Sequence, residues 1–220
     1  MTAQDSQNLN LNKGDRAAQL SQPARLVHRT ILTTYAHTGQ PPAHADLARI
    51  AHAAGVNPDA VLDELTDVDL IVRDPRGDLT AAYPFSTNAT PHRLTLADGT
   101  GVFAMCAIDA LGTSAMLGQP ITITSSEPAT GHHIVVHVDG EQATWQPATT
   151  VVYAAAAGDC CAPSAERTCG YINFFTTDTT AHAWAAHHPH LTGTLLDRTQ
   201  AIACGTAEFG ALLHDHDLPG

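Results

Sequence analysis

The sequence predicts an α+β protein, with an N-terminal winged-helix-like three-helix module followed by a mixed, mostly antiparallel sheet flanked by helices. Three observations carry this. Apolar residues recur at helical spacing in three short segments between Pro23 and Leu65. Two strand-like runs, Leu70–Arg73 and Leu79–Tyr83, follow around the turn Asp74-Pro-Arg-Gly77. From Pro84 onward the texture becomes Thr-rich and strand-like, broken by Gly turns and a few small-residue helical stretches. The predicted divisions are a flexible tail over 1–22, a winged-helix-like module over 23–84 and an α+β core over 85–220.

The tail is polar, rich in Gln and Asn, and has no periodicity. Pro23 opens the first helix, with Leu26, Val27, Ile31, Leu32 and Tyr35 spaced along it, and Gly39-Gln-Pro-Pro42 ends it. A second helix spans about Ala43 to Ala54 and closes at Gly55. Asn57-Pro58 pairs an N-cap with a proline at the first helical position, opening a third helix through Val61, Leu62 and Leu65. In the second part, strands are predicted at Arg93–Leu96, Ile121–Thr124, His133–Val138, Ala143–Gln146, Thr150–Ala154 and Tyr171–Phe175. Helices are predicted up to about Leu117, at Ala181–His187 and over about Thr199–Leu213, and a loop covers Gly158–Thr168.

Composition limits the functions open to such a chain. Its 220 residues carry 22 acids against 10 bases, a formal charge of −12. Nucleic acid and anionic membranes are poor general partners for that balance, because both need clustered Lys and Arg. The third helix would be the recognition helix of a DNA-binding winged helix. It holds Asp59, Asp63, Glu64, Asp67 and Asp69 and no base, so it would be repelled from a groove. No run approaches the ~20 apolar residues of a membrane span. The N-terminal stretch lacks the apolar segment of a secretory signal, so the expected location is the cytoplasm, with the five cysteines reduced. Five thiols without a C-x-x-C pair do not form a standard zinc site.

Two segments carry chemistry. In Gly101-Val-Phe-Ala-Met-Cys-Ala-Ile-Asp-Ala-Leu-Gly112, Cys106 and Asp109 stand three residues apart, on one face of a helical turn. A carboxylate raises the pKa of a neighbouring thiol, so the pairing does not serve to make a thiolate. Taken alone, the pair is either a buried structural Cys with an Asp near a helix end, or a pair placed to move a proton between sulfur and another atom. The second segment is Thr168-Cys-Gly-Tyr-Ile-Asn-Phe-Phe175, with Trp184 nine residues on.

On these motifs the chain resembles the organomercurial lyases (alkylmercury lyases). In that family a Cys-Ala-(Leu/Ile)-Asp motif follows a winged-helix-like region, and a second cysteine precedes a strand ending in Phe-Phe and a short Trp-bearing helix. The matching residues are Cys106-Ala-Ile-Asp109, Cys169 before Phe174-Phe175, Trp184, and the Thr130-Gly131 turn. The resemblance implies cleavage of a carbon–mercury bond by protonolysis, giving a hydrocarbon and Hg(II), with 85–220 as the catalytic part. It implies Cys106 and Cys169 as mercury ligands and Asp109 as proton shuttle and further candidate ligand. Thiolates are the soft donors that mercury prefers. No bound cofactor is expected. Hg(II) is the product, and external thiols are needed for its release. The expected partners are an organomercurial substrate and, for hand-off, a mercuric reductase or small thiols. Phe103, Met105, Ile108 and Phe174 would suit an apolar organic substituent, or simply form core.

The chain also departs from the family pattern. Gly170 and Glu127 stand where relatives have further cysteines, while Cys160-Cys161 occupies a Gly/Pro-flanked loop. That pair is either an auxiliary thiol site relaying Hg(II) or two incidental loop cysteines. Cys204 is expected in the core. His132, His133 and His137 lie on a strand, with the latter two about 13 Å apart and unable to share a metal. His187, His188, His190, His214 and His216 are expected at the surface. Two rival functions stand beside the lyase: a lyase-like metal-binding protein without turnover, and a metal- or thiol-sensing winged-helix regulator.

Overall fold

A computed structural model describes residues 11–157 and 163–214. Four helices lead: α1 (Lys13–Ala18), α2 (Gln22–Thr38), α3 (His44–Ala53) and α4 (Pro58–Asp67). The caps are those the sequence predicts for α2 and α4. Gly39 ends α2 in the left-handed region at φ 74°, and Asn57 caps α4 through a 2.9 Å bond from the Asp59 N–H. Val27, Ile31, Leu32 and Tyr35 turn inward as their spacing requires.

The strands β1 (Ile71–Arg73), β2 (Leu79–Ala82), β3 (Phe85–Ser86), β4 (Arg93–Thr95) and β5 (Gly101–Ala104) come next. Helix α5 (Ala107–Leu117) precedes β6 (Ile121–Ser126), β7 (His133–Asp139) and β8 (Gln142–Gln146). These eight strands form one antiparallel sheet in the order β1-β2-β3-β5-β4-β6-β7-β8. The predicted hairpin of β1 and β2 is therefore one edge of the large sheet, and the 84/85 division falls between two neighbouring strands of it. A second sheet, ordered β10-β9-β11, uses β9 (Val151–Ala156), β10 (Ile172–Phe175) and β11 (Thr192–Leu196). Between them run α6 (Ser164–Arg167), a 3₁₀ turn at Cys169–Tyr171 and α7 (Asp178–Ala186), and α8 (Arg198–Phe209) follows β11. No helix among the described residues is long and apolar enough to cross a membrane.

Helix α5 is the centre of the molecule. Apolar and small residues lie on all its sides, so it has no solvent face, and it packs against strands of both sheets and against α8. Its crossing with α8 is backbone on backbone. A Cβ built on Gly112 would stand 2.4 Å from the Gly205 carbonyl oxygen, and one on Gly205 would stand 2.6 Å from the Gly112 nitrogen. Only glycine permits that approach.

A buried carboxylate ties the two sheets together. Glu127, at the end of β6, accepts from the Thr176 N–H (2.7 Å), the Thr176 hydroxyl (2.9 Å) and the Thr180 hydroxyl (2.6 Å), and also from the Thr130 hydroxyl. Burial pushes its pKa up, but the bonds from Thr130, Thr180 and Thr176 outweigh burial and hold it at about 2. Position 127, where the family resemblance leads one to expect a cysteine, is thus a polar knot.

Four features differ from the sequence expectation. The tail predicted over 1–22 gives way to helix α1 over Lys13–Ala18, because Lys13 finds carboxylates that lie far away in sequence. The loop predicted over 158–168 contains α6. The two-residue strand β3 and strand β11 are too short or too Gly/Thr-rich to show an alternating pattern. Helix α7 starts at Asp178, set by a Thr177/Thr180 capping box.

Two outcomes check this account. Gly112→Ala is expected to cost at least about 3 kcal/mol, the upper end for overpacking, read as a lowered urea midpoint. Glu127→Ala is expected to cost on the order of 2–4 kcal/mol at pH 7, since it strands several buried donors. The Glu127 contribution is present above about pH 4.5 and is lost as pH falls through 2. Acid titration of Glu127→Gln should therefore show a shallower stability loss between pH 5 and 2 than wild type.

Candidate active site

Strand β5 delivers the chain to Cys106, which turns extended at φ −153° and ψ −179° and caps α5. Its sulfur accepts the Asp109 N–H at 3.4 Å. The i,i+3 relation predicted from sequence is thus realised as an N-cap and its third helical residue. The 3₁₀ turn before β10 brings Cys169 to the same place. Cys169 and the Asp109 carboxyl both stand close enough to the Cys106 thiol to raise its pKa. All three groups are buried, at 2% (Cys106), 4% (Asp109) and 6% (Cys169) exposure, and neither cysteine is in a disulfide.

Burial dominates the electrostatics. It pushes the Cys106 thiol well above its usual pKa, with Cys169 and Asp109 adding to the rise. It lifts Asp109 to about 7, against the lowering effects of the neighbouring Cys106 thiol and the Lys13 charge. Protons are therefore held on sulfur and shared with a carboxyl that changes state near neutrality, which is what a proton-transfer site requires. Phe174 and Ile108 are fully buried, while Phe103 and Met105 are half-buried at the rim.

Several groups at or near the site have no local sequence signal. Tyr83 is buried, its pKa raised by burial and then by Cys169, Asp69 and Asp109 nearby. Glu208 on α8 is lifted to about 7 by burial and accepts the Lys13 backbone N–H at 3.0 Å. His92 is buried and depressed to about 4 by burial, with its ring bonded to Ser125 (2.9 Å) and to the Asn173 side chain. Asn173 in turn donates to the Gly170 carbonyl at 3.2 Å, beside Cys169. Each partner lies on a distant segment, and only the fold reveals the pairing.

Other candidates fall elsewhere. Cys204 is buried on α8, as expected. His132, His133, His137, His187, His190 and His214 are exposed, and His188 is half-buried, stacked on Trp184 with ring centroids 4.2 Å apart. Trp184 also meets Tyr153 and Phe175 edge-on or tilted. Cys160, Cys161 and His216 lie outside the described residues. Among the described residues, no group of three or more His, Cys, Asp and Glu side chains is set out to hold a metal ion.

The family model described as "MerB: Alkylmercury lyase" matches residues 85–210, a span that holds Cys106, Asp109 and Cys169. The chain belongs to the alkylmercury lyase family. An alkylmercury lyase of Streptomyces lividans is 32% identical over 174 residues, 78% of either chain. One from Staphylococcus epidermidis is 29% identical over 129 residues, covering 59% of this chain and 57% of its own. In three dimensions the chain is similar to the crystal structure of the mercury-bound form of MerB2, with a TM-score of 0.75 and 27% identity. That likeness covers 94% of this chain and 99% of the other.

The buried, protonated state of the Cys106 thiol has a direct consequence for this lyase. Alkylation of Cys106 by iodoacetamide at pH 7 should be at least about tenfold slower than that of a free small thiol, rising with pH. Peptide mapping of the labelled protein measures it.

Proposed function

We propose that this protein cleaves the carbon–mercury bond of organomercurials by protonolysis, using Cys106, Cys169 and Asp109. One observation carries the reading: two buried thiols outside any disulfide and a buried carboxyl, lifted to about 7, stand together inside an apolar core, with Cys106 capping the helix turn that carries Asp109. One cysteine displaces the ligand of R–Hg–X, forming a sulfur–mercury bond and releasing HX. The second thiol then binds mercury and passes its proton to the Asp109 carboxylate. Two sulfur donors raise electron density on mercury and weaken the bond to carbon. The Asp109 carboxyl returns the proton to carbon, R–H leaves, and Hg(II) remains on two thiolates. The net step is R–Hg–S plus H–S giving R–H and S–Hg–S.

Two external thiols then take Hg(II) and restore both protein thiols. The reaction draws on no resident cofactor in this reading, and a reducing cytoplasm would supply the acceptor thiols. Hand-off to a mercuric reductase would follow the same exchange. The regulator reading finds little support on α4. Asp63 there pairs with Arg73 at 2.6 Å, and Glu64 accepts from the Ser21 N–H and hydroxyl, so both act in packing.

Benzene release from phenylmercury with excess small thiol tests the proposal. Wild type should release benzene, and Cys106→Ser and Cys169→Ser should not. Asp109→Asn should bind the organomercurial yet release benzene at least about 100-fold more slowly. Wild-type turnover in Asp109→Asn would remove the proton carrier, and tight mercury binding without benzene from wild type would leave the metal-binding reading.

A further inference from the structure

We infer that Lys13, together with Asp69, is a positioning residue for the second thiol: it fixes the start of α6 and so holds Cys169 opposite Cys106. Lys13 is the only lysine in the chain, and it is buried to 3% exposure. Its ammonium donates to the Asp69 carboxylate (2.6 Å), the Asp69 carbonyl (2.8 Å) and the Ser164 hydroxyl (2.8 Å). It also sits 4.1 Å from the centroid of the Tyr83 ring. Asp69 is held at φ 55°, in the left-handed region, with Arg16 also bonded to its carboxylate at 3.2 Å.

Several bonds of this knot lead to one short segment. Asp69 accepts from the Ser164 hydroxyl (2.7 Å) and the Ser164 N–H (3.2 Å). The Tyr83 hydroxyl accepts the Ala165 N–H at 2.8 Å. Ser164 and Ala165 open α6, whose four residues run directly through Thr168 into Cys169. A helix of one turn has no stability of its own. Its position is set from outside, by a lysine from α1, an aspartate that follows α4 and a tyrosine from the end of β2. Thr168 repeats the connection, its N–H and hydroxyl both donating to the Ser164 carbonyl at 2.9 and 3.1 Å. The segment is pinned again beyond the thiol, where Asn173 donates to the Gly170 carbonyl.

A reaction that needs two sulfurs on one mercury is sensitive to the placement of the second. A displacement near 1 Å costs about 100-fold in comparable geometries. The inference rests on the two-thiol reading above, and the experiment separates the two. Wild type, Lys13→Met and Ser164→Ala are compared at a temperature where each keeps the wild-type circular dichroism spectrum. Two quantities are read: steady-state benzene release from phenylmercury, and the rate at which bound Hg(II) is lost to a small chelating dithiol. Both variants should lose about 10- to 100-fold in kcat with KM within about threefold, since Cys106 stays in place to bind the organomercurial. Both should surrender Hg(II) at least about tenfold faster than wild type, approaching the rate of Cys169→Ser. Ser164→Ala removes a single hydroxyl, so it decides the matter should Lys13→Met fail to fold. Wild-type kcat and wild-type Hg(II) retention in Ser164→Ala would overturn the positioning role alone. A wild-type protein that holds Hg(II) no better than Cys169→Ser would overturn the two-thiol reading and this inference with it.

Discussion

Where α5 crosses α8, two backbones meet at a pair of glycines, and the placement of the candidate site residues follows from that contact. The glycine pair lets α8 lie close enough for Glu208, one turn beyond Gly205, to reach the backbone of Lys13. That bond seats α1, and α1 carries the ammonium that reaches Asp69 and Ser164. On the other partner, Asp109 stands one turn before Gly112, next to the thiol that caps the helix. A single close approach therefore orders both ends of the site: the first thiol and its carboxyl through α5, and the second thiol through α8, α1 and α6.

The site holds a carboxyl where the protein environment disfavours its charge. Asp109 contributes to stability below about pH 4, and that contribution is lost as pH rises through 7. Glu127 has the opposite sign, since its carboxylate receives donors on every side. One fold thus keeps one carboxyl protonatable near neutrality and another ionised: burial dominates at Asp109, while the N–H and O–H groups of Thr130, Thr176 and Thr180 dominate at Glu127.

The α+β class, most element positions and the three candidate site residues were legible in the sequence, because each leaves a local trace. Helix periodicity shows in α2, α3 and α4, alternation shows in β6 and β7, and a Cys and an Asp three residues apart can meet only on a turn of helix. The residues that were not legible share one property. Lys13 sits in a polar stretch, Asp69 among other acids and Ser164 in a Gly/Pro-flanked loop, so each looks like solvent-facing surface. Their partners lie 56, 95 and 151 positions apart in the chain. Propensity and patterning act over a turn or two, and only packing brings such groups together. His92 and Glu127 follow the same rule, each being one polar residue in a strand until its partners arrive.

The family match begins at residue 85, while Lys13, Asp69 and Tyr83 all precede it. The stretch that the family model covers thus packs against three side chains from outside its border, in a leading segment to which the likeness to the Streptomyces lividans lyase and to MerB2 extends. Recombination that exchanged the first 84 residues between two distant members would join reactive residues from one lineage to a foreign clamp. Such chimeras would keep every motif and still misplace a sulfur. The leading segment and the lyase stretch are bound to evolve together, and variation at position 13 or 69 should travel with variation at 164.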